Sequence, residues 1–597
     1  MGELKYLNKY LFRYRYRLLL GISFVIISNF FGVIPARIIR RAFDLVNENI
    51  TLYKLFSGFN SQESIYSVFG KTMLIFGLTL LLMAILRGIF LFFMRQTIIV
   101  VSRLIEYDLK NDIYNHYQQL SLAFYRRNNT GDLMNRITED VSRVRMYLGP
   151  AIMYTINTIV LFLLVISTMA SINLKLTLFS LLPLPLMAVI IYYVNSIIHR
   201  KSEHIQEQLS NLSTFTQETF AGMRVLKAYV REETVRKDFE QQSEEYKKRS
   251  LSLAKIQAFF YPTVLLLAGM SVVLTVYIGG IEVNNGNITP GNIAEFIVYV
   301  NQLTFPMMSL GWVTSLIQRA AASQKRINEF MNIEPEIQSA ISQQVQINGK
   351  IEFKNVSFTY PDTGIEALKD VSFVAEQGKF IAFIGRTGSG KSTIANLIAR
   401  MYDTTEGMVL IDDKSIKNYE INNLRNSMGF VPQEVFLFSD TISNNISFGI
   451  HNIEKEQVYD AAKKAAVYNN IQAFPQGFET TIGERGITLS GGQKQRISIA
   501  RAIIKEPQIM IFDDCLSAVD TKTEEEILSN LGQIMQNKTS IIISHRVSSI
   551  KNADKIFVLD QGSIIESGNH ETLLDLKGEY YELYEKQLLE EEELLDN

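Results

Sequence analysis

Six stretches of the chain are predominantly apolar: 18–34, 73–94, 151–172, 176–198, 259–281 and 293–317. A helix needs about 20 residues to cross a bilayer, so this pattern predicts six membrane-spanning helices. Beyond residue 350 the period changes. "IEFKNVSFTY" and "ALKDVSFVAEQGKFIAFIG" alternate or run apolar in the manner of strands. The fold expected is a helical membrane domain over 1–330, a linker over 331–349, an α/β domain over 350–582 and an acidic tail over 583–597.

Between the spans, short connections alternate with long ones. Segments 95–150 and 199–258 are poor in Gly and Pro and mix charge with Leu, Ile, Phe and Tyr. They are expected to continue the helices beyond the membrane. At 1.5 Å per residue, a leg from Arg95 to Leu120 is roughly 39 Å long. Each leg needs a turning point: Asn-Asn-Thr-Gly within "FYRRNNTGDLMNRI" (124–137) is one. "ETFAGMRVLKAYVRE" (218–232) is the other, with Phe220, Met223, Leu226 and Lys227 on one face. Both tips are expected to dock on the α/β domain, against the alternative of solvated hairpins.

Lysine and arginine set the orientation. The N-terminus carries Lys5, Lys9, Arg13, Arg15 and Arg17, and both long connections are rich in the two residues. Segment 42–70 holds only Lys54, and 282–292 holds neither residue. Both termini and the long connections are therefore expected in the cytoplasm of a bacterial cell, with the spans in the plasma (inner) membrane. Arg37, Arg40 and Arg41 break the pattern, and lining a water-filled cavity is one reading of them. Basic flanks precede the first span but no small-residue cleavage site follows it, so it is not expected to be a signal peptide.

Composition agrees with a membrane half joined to a soluble half. The 597 residues are 47% hydrophobic and 20% charged. A net charge of −2 gives no global attraction for nucleic acid, which is not expected as a partner. One cysteine, Cys515, excludes an intrachain disulfide.

The chemistry lies in three strings. "GRTGSGKST" (Gly385, Arg386, Thr387, Gly388, Ser389, Gly390, Lys391, Ser392, Thr393) matches the P-loop spacing, between an expected strand 380–384 and an expected helix 393–402. Its glycines let backbone N–H groups curl around phosphate oxygens, Lys391 bridges the β and γ phosphates, and the Ser392 hydroxyl ligates Mg²⁺. "IMIFDD" is a buried strand ending in Asp513, placed to hold Mg²⁺ through water, with Asp514 beside it. "LSGGQKQR" brings Ser490, Gly491, Gly492 and Gln493 to the start of an expected helix 493–505, a second anion-ready N-terminus.

These strings resemble Walker A, Walker B and the signature of ATP-binding-cassette transporters, and six spans ahead of them resemble an exporter half-transporter. The resemblance implies ATP and Mg²⁺ as ligands and further roles at matching positions. Tyr360 would stack on adenine, Gln433 would sense Mg²⁺ and the attacking water, and His545 would hold the γ-phosphate. Glu484 would face a coupling tip and Asp520 would end the D-loop. The resemblance also implies a dimer, since ATP is clasped between the P-loop of one half-transporter and the signature of a second, identical or different.

At the position of Asp514 that family usually has glutamate. Aspartate is shorter by about 1.3–1.5 Å of reach, so this site is expected to bind ATP well and hydrolyse it slowly. The expected activity is ATP-driven export of an amphiphilic drug or lipid, with membrane lipid as surroundings and Arg87, Asn301, Gln302 and Thr304 as candidate cavity groups. An ATP-gated channel or regulator, or an importer on the same fold, stands as the alternative.

Overall fold

A computed structural model describes residues 2–55, 61–339, 345–450, 453–483, 489–516 and 521–595. It divides into two compact units. The first comprises Met1–His116 and Gly131–Ile333; the second comprises Tyr117–Thr130 and Glu334–Asn597.

The first unit is built on long helices: α1 (Arg15–Leu55), α2 (Ser61–Gln119), α3 (Ile152–Ile172), α4 (Pro183–Ala221), α5 (Glu232–Asn284) and α6 (Pro290–Met331). The expected legs are continuous with their spans, and α2 runs 59 residues without a break. The expected turning points are real. Helix Leu122–Arg127 ends before Asn128, and the short helix Met223–Ala228 follows Gly222 at the end of α4.

Among the described residues five helical segments are long and apolar enough to cross a membrane, not six. The one that falls short is α6, which has the length, at 42 residues, but carries polar groups in its first turns. Asn292 and Glu295 are buried there, and the structure satisfies them. Tyr299 Oη donates to Glu295 Oε1 (2.9 Å), Asn292 Nδ2 donates to Glu295 Oε2 (3.3 Å), and Arg40 Nη1 lies 3.4 Å from the same oxygen. Thus the arginines that break the charge pattern include one that neutralises a fully buried carboxylate, which gives Arg40 a pairing role in place of a cavity lining. Asp44 adds to the same seam, accepting from Thr289 Oγ1 (2.8 Å) and Gly291 N (2.9 Å).

In the second unit a four-stranded antiparallel sheet has the order β2-β1-β4-β5, with β1 Ile351–Thr359, β2 Glu366–Ala375, β4 Glu406–Ile411 and β5 Lys414–Ser415. A six-stranded sheet has the order β10-β9-β3-β8-β7-β6, with β3 Phe380–Gly385, β6 Met428–Val431, β7 Ile509–Asp513, β8 Thr539–Ile543, β9 Lys555–Asp560 and β10 Ser563–Gly568. All its neighbours pair in parallel except β9 and β10. Every residue of β7 and β8 is buried, which is why they have no alternation: a parallel strand covered on both faces is apolar throughout.

Segment Tyr117–Thr130, the first turning point, belongs to this unit. Ala123 is fully buried in the core around β1 and β3, and Ser121 Oγ donates to Glu336 Oε2 (2.9 Å). The second turning point belongs to the first unit, where Phe220, Val225, Tyr229 and Val230 are exposed. The C-terminal stretch expected as a tail from residue 583 lies inside a helix, Glu579–Leu595, whose Leu583 and Tyr584 pack on the core.

Candidate functional site

The carboxyl ends of β3, β7 and β8 point the same way, as parallel pairing requires, and a site forms in the crevice beyond them. β3 feeds the loop 386–390 into α7 (Lys391–Ile398). This helix starts two residues earlier than the spacing suggested, directly after Gly390. Gly390 has φ +100°, and a Cβ there would lie 2.3 Å from the Ala367 carbonyl, so only glycine lets the loop turn this tightly.

One cavity of about 480 Å³ gathers most of the residues singled out from sequence. Tyr360, Thr387, Gly388, Ser389, Gly390, Lys391, Ser392 and Thr393 line it, together with Gln433, Asp513, Asp514 and His545. Gly385 and Arg386 do not. The Gly385 carbonyl accepts from Lys391 Nζ (2.8 Å), and the Arg386 side chain pairs with Glu579 (2.8 Å). Glu484 and Asp520 lie outside the described residues.

Lys391 Nζ also donates to the Arg386 carbonyl (2.8 Å). Burial, opposed by the nearby Asp514 and Asp513, brings its ammonium down to about 8. Asp513 is 4% exposed and Ser392 Oγ donates to its Oδ1 (2.9 Å). Burial, with repulsion from Asp514, pushes the Asp513 carboxyl up to about 6 against that hydrogen bond. A hydroxyl and a strand-end carboxylate side by side suit Mg²⁺, which keeps several waters and takes its remaining ligands from substrate phosphates. Among the described residues no group of three or more His, Cys, Asp or Glu is gathered to hold a metal.

Asp514 follows at φ +45°, in the left-handed region. Aspartate is several-fold enriched there relative to most side chains. Its N–H donates to the Ile543 carbonyl (2.9 Å) and its Oδ2 accepts from Gln433 Nε2 (3.5 Å). Burial, and then Lys391, push the His545 imidazole below its usual value, so it is neutral at pH 7 with one ring N–H to donate. Behind it, Gln587 on the C-terminal helix holds the His545 backbone.

The Ser490 turn lies outside this cavity. Ser490 is the N-cap of α8 (Gly491–Ile503): its Oγ accepts from Gln493 N (3.3 Å), while Gln493 Oε1 accepts from Ser490 N (3.0 Å). That reciprocal cap starts the helix two residues before the expected 493.

Sequence reasoning missed Arg126. From the first turning point its guanidinium lies 5.0 Å from the Tyr360 ring centre, its Nε is 3.7 Å from Asp362, and Nη1 donates to Tyr402 Oη (3.5 Å). Arg126 lines the same cavity. Nothing local could reveal a contact between residues so far apart in the chain.

Of the expected cavity groups in the first unit, Gln302 Nε2 donates to the Gly32 carbonyl (2.9 Å) and Thr304 Oγ1 to the Val300 carbonyl (3.0 Å). The Arg87 guanidinium packs against Gly32. Gln302 and Thr304 thus tie helix backbone, because a polar group inside an apolar bundle takes the nearest partner.

Residues 18–307 match the ABC transporter transmembrane region, and residues 368–517 match the ABC transporter domain. The multidrug resistance-like ATP-binding protein MdlA of Escherichia coli (strain K12) is 36% identical over 513 residues, covering 86% of this chain and 87% of MdlA. An ATP-dependent lipid A-core flippase of Syntrophus aciditrophicus (strain SB) is 33% identical over 516 residues, covering 86% of each. A solved bacterial Atm1-family ABC exporter with ATP bound superposes with a TM-score of 0.76 at 26% identity, covering 96% of this chain and 98% of the other.

Proposed function

The chain belongs to the ABC transporters, with a membrane region and an ATPase domain fused in one polypeptide, and from that premise we propose that it is an exporter half-transporter that works as a dimer and carries a slow ATP site. The observation that carries this reading is the division of the phosphate-binding parts. The P-loop, Asp513, Asp514, Gln433 and His545 share one cavity, and the Ser490 turn stands outside it. A second half-transporter, identical or different, brings its own signature turn to complete the site.

In this reading Tyr360 stacks on the adenine and the P-loop backbone wraps the phosphates, with Lys391 between β and γ. Ser392 and Asp513 would hold Mg²⁺, with Gln433 alongside, and the cation would supply positive charge against the phosphates. Gln433 and Asp514 orient the attacking water, and the neutral His545 donates to the γ-phosphate. Most of the acceleration comes from such positioning and charge stabilisation. Asp514 stops about one methylene short of the reach a glutamate has, which slows the step. The turning points carry closure to the spans, and the cargo is an amphiphilic drug or lipid, moved outward across a bacterial inner membrane with both termini in the cytoplasm. ATP does this work only through its higher affinity for the closed state. The multidrug and lipid A-core names of the relatives support this cargo class.

The test is a pair of cysteines, Ser389→Cys and Ser490→Cys, in the purified membrane protein. Cys515 is buried and its thiol is pushed up by that burial, so it stays unreactive. A disulfide between two chains that forms with ATP, and poorly without it, is expected. Cross-links confined to one chain, or indifferent to ATP, defeat the reading.

A further inference from the structure

The Tyr360 ring is held in one orientation. Its Oη shares a hydrogen bond with Thr393 Oγ1 (3.0 Å), and Phe358 and Tyr402 meet the ring edge-on at 4.9 and 5.5 Å between centres. The Arg126 guanidinium stands over it, 5.0 Å from the ring centre, and lines the same cavity. The backbone beneath Arg126 is anchored as well. It belongs to helix Leu122–Arg127, where Ala123 is fully buried in the core. Just before that helix Ser121 Oγ donates to Glu336 Oε2 (2.9 Å), and at its end Arg127 pairs with Glu336 (3.6 Å). The guanidinium therefore moves only as far as its own side chain allows.

Its donors are not all used. Nε faces Asp362 (3.7 Å) and Nη1 donates to Tyr402 Oη (3.5 Å). Nη2 makes no hydrogen bond among the described residues. Elsewhere on the cavity wall Lys369 and Glu366 pair with each other (4.0 Å), and Lys391, Asp513 and Asp514 stand by the P-loop. Arg126 is thus a charged group beside the aromatic ring with a donor to spare, and it presents that donor to whatever lies on the ring.

We propose that Arg126 selects the nucleobase, and that it favours a purine with a carbonyl at its six-position, guanine or hypoxanthine, over adenine. The inference rests on the nucleotide reading of this cavity, with the base on Tyr360. A base lying on that ring pushes the guanidinium off the face, while Asp362 and Tyr402 keep it at the rim, against the edge of the base. A guanidinium only donates. Guanine offers it two neighbouring acceptors, O6 and N7, whereas adenine offers N7 beside an amino group that is itself a donor. Competition for the ring penalises every base alike, so the edge contact is what separates one base from another.

The test titrates the purified full-length protein, in EDTA so that nothing is hydrolysed, with ATP, GTP and inosine 5′-triphosphate. The last carries O6 and N7 but no amino group, so it isolates the carbonyl. GTP and inosine triphosphate are expected to bind about fivefold more tightly than ATP, and Arg126→Ala is expected to bring all three within about twofold of one another. A loss of structure alone would weaken the three together and leave their order unchanged. ATP bound as tightly as the other two, or a preference that survives Arg126→Ala, overturns the proposal. So does a preference for GTP that inosine triphosphate does not share, because the amino group and not the carbonyl is then being read. Tyr360→Ala separates this failure from failure of the nucleotide reading. If the base lies on Tyr360, the variant weakens all three nucleotides while inorganic tripolyphosphate binds as before, and indifference of their order to Arg126 then defeats the base selection alone. If Tyr360→Ala changes none of the three, the base is not on that ring and both readings fall.

Discussion

The side-chain amide of Gln587 holds the backbone at His545: its Nε2 donates to the His545 carbonyl (2.7 Å), and its Oε1 accepts from the N–H of Val547 two residues on (2.8 Å). The primary amide, with one donor and one acceptor side by side, satisfies both at once. The C-terminal helix thus fixes the loop that aims the imidazole. Gln587→Ala is expected to lower the kcat of ATP hydrolysis about five- to tenfold, with KM for ATP within twofold, since each hydrogen bond is worth about 1 kcal/mol. Steady-state ATPase assays on the purified membrane protein check this.

Arg126 lies 5.0 Å from the centre of the Tyr360 ring, so under the proposed adenine contact Arg126 and the base would compete for that ring. A cation over an aromatic face is worth about 0.5–1 kcal/mol at an accessible site, so Arg126→Ala is expected to tighten ATP binding two- to fivefold. Binding of inorganic tripolyphosphate, which has no base, should not change. Calorimetric titration of both ligands is the measurement.

Nucleotide affinity should be bell-shaped in pH. In the proposed site Asp513, at about 6, would have to be ionised to hold Mg²⁺, and Lys391, at about 8, would have to be charged to hold phosphate. Affinity for MgATP therefore falls below pH 6 as a proton takes the carboxylate, and falls above pH 8 as the ammonium is lost. Lys391→Arg should move the basic limb beyond pH 10, because a guanidinium stays charged. Folding stability without Mg²⁺ runs the other way on the acid side. The Asp513 carboxyl sits above its unfolded value, so the folded state binds the proton more tightly between about pH 4 and 6, and stability rises as pH falls through that window.

Asp514→Glu should raise turnover by at least tenfold, since general-base positioning typically contributes 10²–10⁴-fold. The left-handed backbone at this position, φ +45°, favours aspartate over glutamate, so a drop in melting temperature of a few degrees is expected alongside. An unchanged turnover would show that reach is not what limits this site.

Glu295→Ala leaves Arg40 inside the bundle without its anion and removes the acceptor of Tyr299 Oη and Asn292 Nδ2. Breaking a buried pair costs about 3–5 kcal/mol. A large loss of thermal stability is expected, while ATP binding by surviving protein stays unchanged. Thermal melts and nucleotide titrations on the same preparation measure the two effects.

The amino-acid sequence by itself determined the elements and the phosphate chemistry. Apolar runs of bilayer length, legs poor in Gly and Pro, and the 385–393, 490–493 and 509–514 strings are local signals, each legible because a helix, a strand or a glycine turn is built from neighbours in the chain. Tertiary structure decided what those elements touch. Only folding brings Arg126 to Tyr360, Gln587 to His545 and Arg40 to Glu295. It also shows why α6 is polar for a span, since its carboxylate is neutralised from another helix, and why Gln302 serves backbone. A residue's type and its near neighbours carry its local preference; its partner across the fold is set by how the elements pack, and no periodicity along the chain encodes that.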